Sequence, residues 1–280
     1  MIGCLRAEFL SVRKRPGVWI VGGAWVALAV AFGMAVPYIV YLSFKGGSSS
    51  GSDPEDLITS LLPDQFMTSV VGLYPMFGSA LMLVFGAVVA GGDHRWGTWG
   101  TLFVQGTGRI TVMAAKSVVT AVALLCVTAA VVAATAAVSA LIAFADGRPV
   151  HWPPTVELLK GFGVAWLVSM AAVALGTFLA VLFRNTGAAI GVGLVWLLAL
   201  ENLVSGVVGT LPALEAVQRV LLGANGGSLA AALGSSTQDA GGTPGVVAVS
   251  GPLTASFVLA GYVVVFLGLS TMLVSRRDVP

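Results

Sequence analysis

Long apolar runs broken by short polar stretches set the pattern of this chain. Six runs reach the ~20 residues that a helix needs to cross a hydrocarbon layer of ~30 Å. They cover Val18–Leu42, Phe66–Gly91, Ser117–Ala145, Leu159–Phe183, Gly187–Gly209 and Leu253–Val274. The third exceeds what a bilayer requires and predicts a tilted helix or one that extends past the membrane. Pro75 lacks an amide hydrogen and predicts a kink or break in the second. Only "RNTG" (184–187) joins the fourth run to the fifth, so those two helices are adjacent and antiparallel. Arg184 then ends one helix, and Thr186 is available to cap the next. The pattern predicts an all-α integral membrane protein with six transmembrane helices, one domain over residues 1–280.

The polar stretches differ in kind. In "IGCLRAEFLSVRKR" (2–15), Ile2, Leu5, Phe9 and Val12 share a face while Arg6, Ser11, Arg13 and Lys14 take others. This predicts a short amphipathic helix with a basic side, lying at a membrane surface. The Gly/Ser-rich stretch after the first run predicts a mobile loop ending in an acidic helix start, and "DGRPVHWPP" a stiffer turn. Between the fifth and sixth runs, "LPALEAVQRVLLG" (211–223) predicts a helix opened by Pro212 and closed at Gly223, with flexible composition after it.

Charge then orients the spans. Four lysines and ten arginines are spread so that Arg6, Arg13, Lys14, Arg15, Arg95, Arg109, Lys116, Arg184, Arg276 and Arg277 fall on the N-terminal side. Only Lys45, Arg148, Lys160 and Arg219 fall on the other. By the positive-inside rule both termini are cytoplasmic. Trp19 and the pair Tyr38 and Tyr41 sit at the two ends of the first span, as interface aromatics do. That span is too long for the apolar core of a signal peptide and no clear cleavage site follows it. With 57% apolar and 9% charged residues, against about 25% charged in soluble domains, the composition agrees with a membrane protein.

Little catalytic chemistry is present. No GxxxxGK[ST], HExxH or GxSxG occurs, so neither a P-loop nor a zincin or hydrolase site is expected. The two histidines, His94 and His151, fall on opposite sides of the membrane, and Cys4 and Cys126 are too far apart to suggest a disulfide framework or a metal site. No metal, cofactor or nucleic acid is expected on this chain. One acid does lie within a span. Glu201, beside Asn202 in "VWLLALENLVSG", is either functional or a packing group bonded to a neighbour's backbone or to a lysine such as Lys160. Gly187-x-x-x-Gly191 and Ser205-x-x-x-Gly209 on the same span allow close helix approach.

The segment "GGDHRWGTWGTLFVQGTGR" (91–109), cytoplasmic by the charge count, reads D-x-x-x-G-T-x-x-x-L over Asp93, Gly97, Thr98 and Leu102. Arg109 and Lys116 follow as R-x6-K. This resembles the first intracellular loop of ABC-2 type transporter permeases. The likeness extends to the basic amphipathic N-terminal helix, six spans, a tiny 4–5 connection and an external excursion before the sixth. Asp93 stands where glutamate is commoner, and "GTGR" where "P-x-S-R" is often seen.

The resemblance implies a short cytoplasmic coupling helix that docks on a separate ABC ATPase subunit, which would bind ATP and Mg. Asp93, Arg95, Trp96, Gly97, Thr98, Trp99, Leu102, Phe103 and Arg109 would form the docking surface. A plainer role for Trp96 and Trp99 is as interface aromatics on the inner leaflet. The resemblance further implies an exporter in the bacterial cytoplasmic membrane, surrounded by membrane lipid. Two permease chains, identical or related, would move a drug, antibiotic, peptide or lipid outward. The second and fifth spans would line the path, making Glu201, Asn202 and Trp196 pathway candidates. The alternative is a stand-alone secondary transporter or channel that uses Glu201 as its ion site, although the two halves show no repeat.

Overall fold

The computed structural model describes residues 2–45, 54–95, 108–208, 211–238 and 242–276, and all its regular elements are helical. Helix α1 (Ile2–Lys14) ends at the extended residue Arg15. Pro16 opens α2 (Pro16–Lys45), where its missing N–H lies among those a first turn leaves unpaired anyway. Next come α3 (Pro54–Leu61), with Glu55 and Asp56 in its first turn, α4 (Phe66–Gly72) and α5 (Ser79–Arg95). Then α6 (Arg109–Ala145), α7 (Thr155–Phe183) and α8 (Thr186–Val207) follow. Two short helices, α9 (Glu215–Gln218) and α10 (Leu222–Ala232), precede the last, α11 (Pro252–Arg276).

Six of the described helices are long and apolar enough to cross a membrane: Pro16–Lys45, Tyr74–Gly92, Arg109–Ala145, Thr155–Phe183, Thr186–Val207 and Pro252–Arg276. These are the six expected runs with shifted ends. The third starts eight residues earlier than its apolar run, after the extended Gly108. At 37 residues it is about 55 Å long, well beyond the hydrocarbon thickness.

The second run is broken. Helix α4 stops at Gly72, and a π turn over Tyr74–Gly78 leads into α5. Pro75 cannot donate to the ladder, so the chain closes a wider ring, with Gly78 N donating to Leu73 O at 3.0 Å. Ser79 Oγ donates to the Tyr74 carbonyl at 2.9 Å, a second donor to an oxygen that already accepts from the Ser79 backbone N–H.

Helix α7 is the hub, touching α5, α6, α8, α10 and α11, and its contact with α5 is the most extensive in the chain. The reason is two glycines at the crossing. A Cβ on Gly86 would strike the Val173 carbonyl, and one on Gly176 the Leu83 carbonyl. Ala90, Ala172 and Ala180 continue the small faces, all fully buried. By contrast, Gly187 and Gly191, which the sequence marks as a close-packing pair, meet no other helix.

At the 4–5 connection the cap falls one residue earlier than expected. Asn185, not Thr186, accepts from Ala188 N at 3.1 Å, and Arg184 takes the left-handed conformation (φ 53) that ends α7. The other end of the bundle is held by ionic contacts around Asp146. Its carboxylate accepts from Lys45 (2.8 Å), Tyr41 (3.0 Å) and Arg148 (3.3 Å), while Arg148 also reaches Glu55 at 2.8 Å. The Lys45 hydrogen bond does most to hold the Asp146 carboxyl below its ordinary range.

The segment between α8 and α11 departs most from expectation. Its helix closes at Gln218 rather than Gly223, and Gly223 instead lies in the first turn of α10. Leu229 and Ala230, in the part read as flexible, are buried.

Candidate functional site

Among the described residues, the buried charged side chains (Glu8, Lys116 and Glu201) lie at two junctions, one towards each end of the bundle. The first is built around Glu201, only 4% exposed. Helix α8 widens into a π stretch over Val195–Leu200 just before it, an irregularity frequent at functional positions. Helix α10 begins after Leu221, a residue with no side-chain oxygen to cap its first amides. Glu201 supplies that oxygen from another helix: Oε2 accepts from Gly223 N at 2.6 Å and Oε1 from the Trp196 indole at 3.1 Å. A Cβ on Gly223 would lie 2.7 Å from Glu201 Oε2, so glycine there permits the contact.

The same junction draws in the broken second span. Glu201, Asn202, Ser205 and Gln238 line a cleft with Pro75 and Met76 that encloses about 20 Å³, room for one water. Asn202 turns back on its own helix, donating to Leu198 O at 3.0 Å. Gln238 accepts from Gly245 N at 3.0 Å, which fixes the strand-like return of the chain over α10. Helix α10, eight of whose eleven residues are buried, therefore sits as a wedge between the π turn of the second span and the end of the fifth.

The second junction lies at the opposite end, where α5 ends and α6 begins. Lys116 of α6 donates to Glu8 of α1 at 2.8 Å, with the two side chains 3% and 10% exposed. Arg15 donates to the Val89 carbonyl of α5 at 2.6 Å. Arg109 reaches the Val274 and Ser275 carbonyls at 3.3 and 3.2 Å, placing a cation at the C-terminal end of α11. Three basic residues thus tie α1, α5, α6 and α11 together at this end of the bundle.

The sequence-derived candidates divide accordingly. Trp196, Glu201 and Asn202 do come together. Lys160 lies apart from Glu201, beside Leu229 and Pro252. Asp93 and Arg95 are on the last turn of α5 by backbone, and Arg109 bonds to α11. Trp96, Gly97, Thr98, Trp99, Leu102 and Phe103 lie outside the described residues. Residues 26–280 match the family described as "Protein of unknown function (DUF2705)". The chain belongs to that family. No curated protein matches it. The family region holds five spans whole and the C-terminal part of the first, with the Glu201 junction and Lys116; α1 precedes it.

Two contacts in these junctions, Glu8 with Lys116 and Glu201 with Gly223, were not read from sequence, although Lys116 stands in the R-x6-K spacing and Gly223 was read as a helix end. Glu8 is the one acid in a basic helix, and Lys116 the one lysine in a long apolar run. Opposite lone charges, each on an apolar face, are the signal that could have paired them. No comparable signal paired Gly223, one of 36 glycines, with Glu201.

Proposed function

We propose that this chain is the transmembrane subunit of an ATP-driven ABC-2 type exporter in a bacterial cytoplasmic membrane, with both termini inside. A separate ATPase subunit would bind ATP and Mg, and a second permease chain would complete the path for a hydrophobic or amphipathic cargo. The observation that carries this reading is the charged junction flanking residues 96–107. A push on that segment passes directly to α5 and α6, which it joins, and to α1 through the buried Glu8–Lys116 pair. Arg15 ties the end of α1 to α5, and Arg109 carries the push to α11. An element that receives force from outside the membrane needs this kind of stiff connection to several spans.

The ion-coupled alternative draws less support. Both Glu201 oxygens are taken by protein donors, and among the described residues no second carboxyl, lysine, arginine or histidine lines its cleft. A relay or ion-coupling site needs such partners.

The test is whether a gene beside this one encodes a P-loop ATPase, and whether that ATPase co-purifies with this chain. The native pair is expected to co-purify, and Trp99→Glu or Gly97→Asp to release the ATPase while the permease stays folded. Equal recovery in all variants, or no recovery with the native chain, refutes the docking role.

A further inference from the structure

The outer face of α1 and α6 carries two apolar furrows that no described residue fills. The deeper one, about 480 Å³, runs between α1, α2 and α6, walled by Val18, Gly22, Gly23, Val122 and Cys126, with Phe85 at its floor. The shallower one, about 400 Å³, lies between Leu5, Leu10 and Val118. They share Phe9, Val119 and Val122, so Phe9 stands as the ridge between them. Along α6 the deep furrow extends from Val119 to Ala130, about 16 Å. Each has an arginine at its rim, Arg6 for the shallow furrow and Arg13 for the deep one.

Charge on this face is one-sided for a structural reason. The only acid of α1, Glu8, points inward and is consumed by Lys116. Arg6 and Arg13 remain exposed and form no ion pair among the described residues. Trp19, 66% exposed, donates its indole N–H to the Arg13 carbonyl at 2.8 Å and marks the mouth as membrane–water interface. Two parallel apolar furrows, a ridge between them and a cation over each describe the shape and charge of one ligand class.

We propose that this face binds one anionic diacyl phospholipid, an acyl chain in each furrow astride Phe9 and its phosphate between Arg6 and Arg13. Among the described residues neither furrow has a polar group deep inside to favour a polar cargo, and a zwitterionic lipid would add its own headgroup cation beside the two arginines and bring no net charge to offset them. The deep furrow is preformed, because the Glu8–Lys116 pair fixes α1 on α6 and Gly23 leaves it open. No atom lies within 4 Å of where a Gly23 Cβ would stand. Leucine at that position would occupy the furrow without a clash and with better helix propensity. The lipid site stands independently of how the protein is powered.

The experiment uses the full chain in mild detergent, offered equal phosphatidylglycerol and phosphatidylcholine of identical acyl chains, and read by native mass spectrometry. One phosphatidylglycerol is expected to be retained with a preference of about 25-fold, since each basic residue near a membrane surface contributes about fivefold. Arg6→Ala and Arg13→Ala should each remove about fivefold. Gly23→Leu should abolish retention of both lipids at unchanged thermal stability. Should that variant misfold, the surface change Arg13→Glu must still lower the anionic preference. Equal retention of the two lipids, or a preference untouched by the arginine variants, overturns the proposal. So does disulfide cross-linking of Cys126 to Cys126 of a second copy in native membranes (Cys4→Ser background), since a protein chain would then cover the face.

Discussion

A carboxyl group inside an apolar helix persists only where its oxygens find donors, and Glu201 finds two that would otherwise go unmet. One is an indole on its own helix. The other is the first-turn amide of α10, which the preceding leucine cannot cap. Glu201→Ala removes both acceptors, and leaving the part-buried Gly223 amide and Trp196 indole without them costs about 1–3 kcal/mol in total. The expected result is a lower unfolding temperature and faster hydrogen exchange at the Gly223 and Asn225 amides, with the distal α6–α7 core unaffected. Glu201→Gln keeps a single acceptor oxygen and should fall between the two. If exchange at Gly223 is the same in all three proteins, the carboxyl does not hold α10 and the cap contact has no energetic weight.

Among the helices, what could be read from sequence was what local pattern decides. Twenty apolar residues must be helical in lipid, so the spans were legible to within about four residues, save for the starts of the second and third, which moved by eight, and so was a disruption at Pro75. Helix α10 was not, because "LGANGGSLAAA" carries three glycines and reads as a turn. It folds because the π turn at Tyr74–Gly78 packs along it and Glu201 caps it, and both are distant in sequence. Gly86 and Gly176 were likewise hidden among the glycines of the chain, while the pair marked on the fifth span meets no helix. The Trp196, Glu201 and Asn202 cluster was legible because charge and amide stood out against an apolar run. Its backbone partner was not.

The close crossing of α5 and α7 gives that element-level account a direct check. Gly176→Leu forces a side chain into the Leu83 carbonyl and should separate the two helices. A loss above about 4 kcal/mol, seen as failure to recover a monodisperse protein, is expected. Gly163→Leu, where the Cβ meets open space, should be tolerated and gain up to about 1 kcal/mol in helix propensity. Similar thermal unfolding for both variants would mean that the glycine crossing is not what sets the α5–α7 distance.

For the whole molecule, the two junctions divide the work of holding six spans in register. One wedges α10 between the second and fifth spans, and the other knits α1, α5, α6 and α11 together. The Glu8–Lys116 pair is the part of the second where stability and transmission can be separated. Removing one partner leaves a buried charge alone, so Glu8→Ala or Lys116→Ala should each cost about 3–5 kcal/mol. Replacing both, as Glu8→Leu with Lys116→Met, removes both desolvation costs and should return the unfolding temperature close to the native value. A pair that only holds α1 in place would then allow native export. A pair that transmits force under the proposed function leaves the refolded double variant with bound ATPase, continuing ATP hydrolysis and little export. Export restored in step with stability would reduce the pair to a structural contact and shift transmission to Arg15 and Arg109.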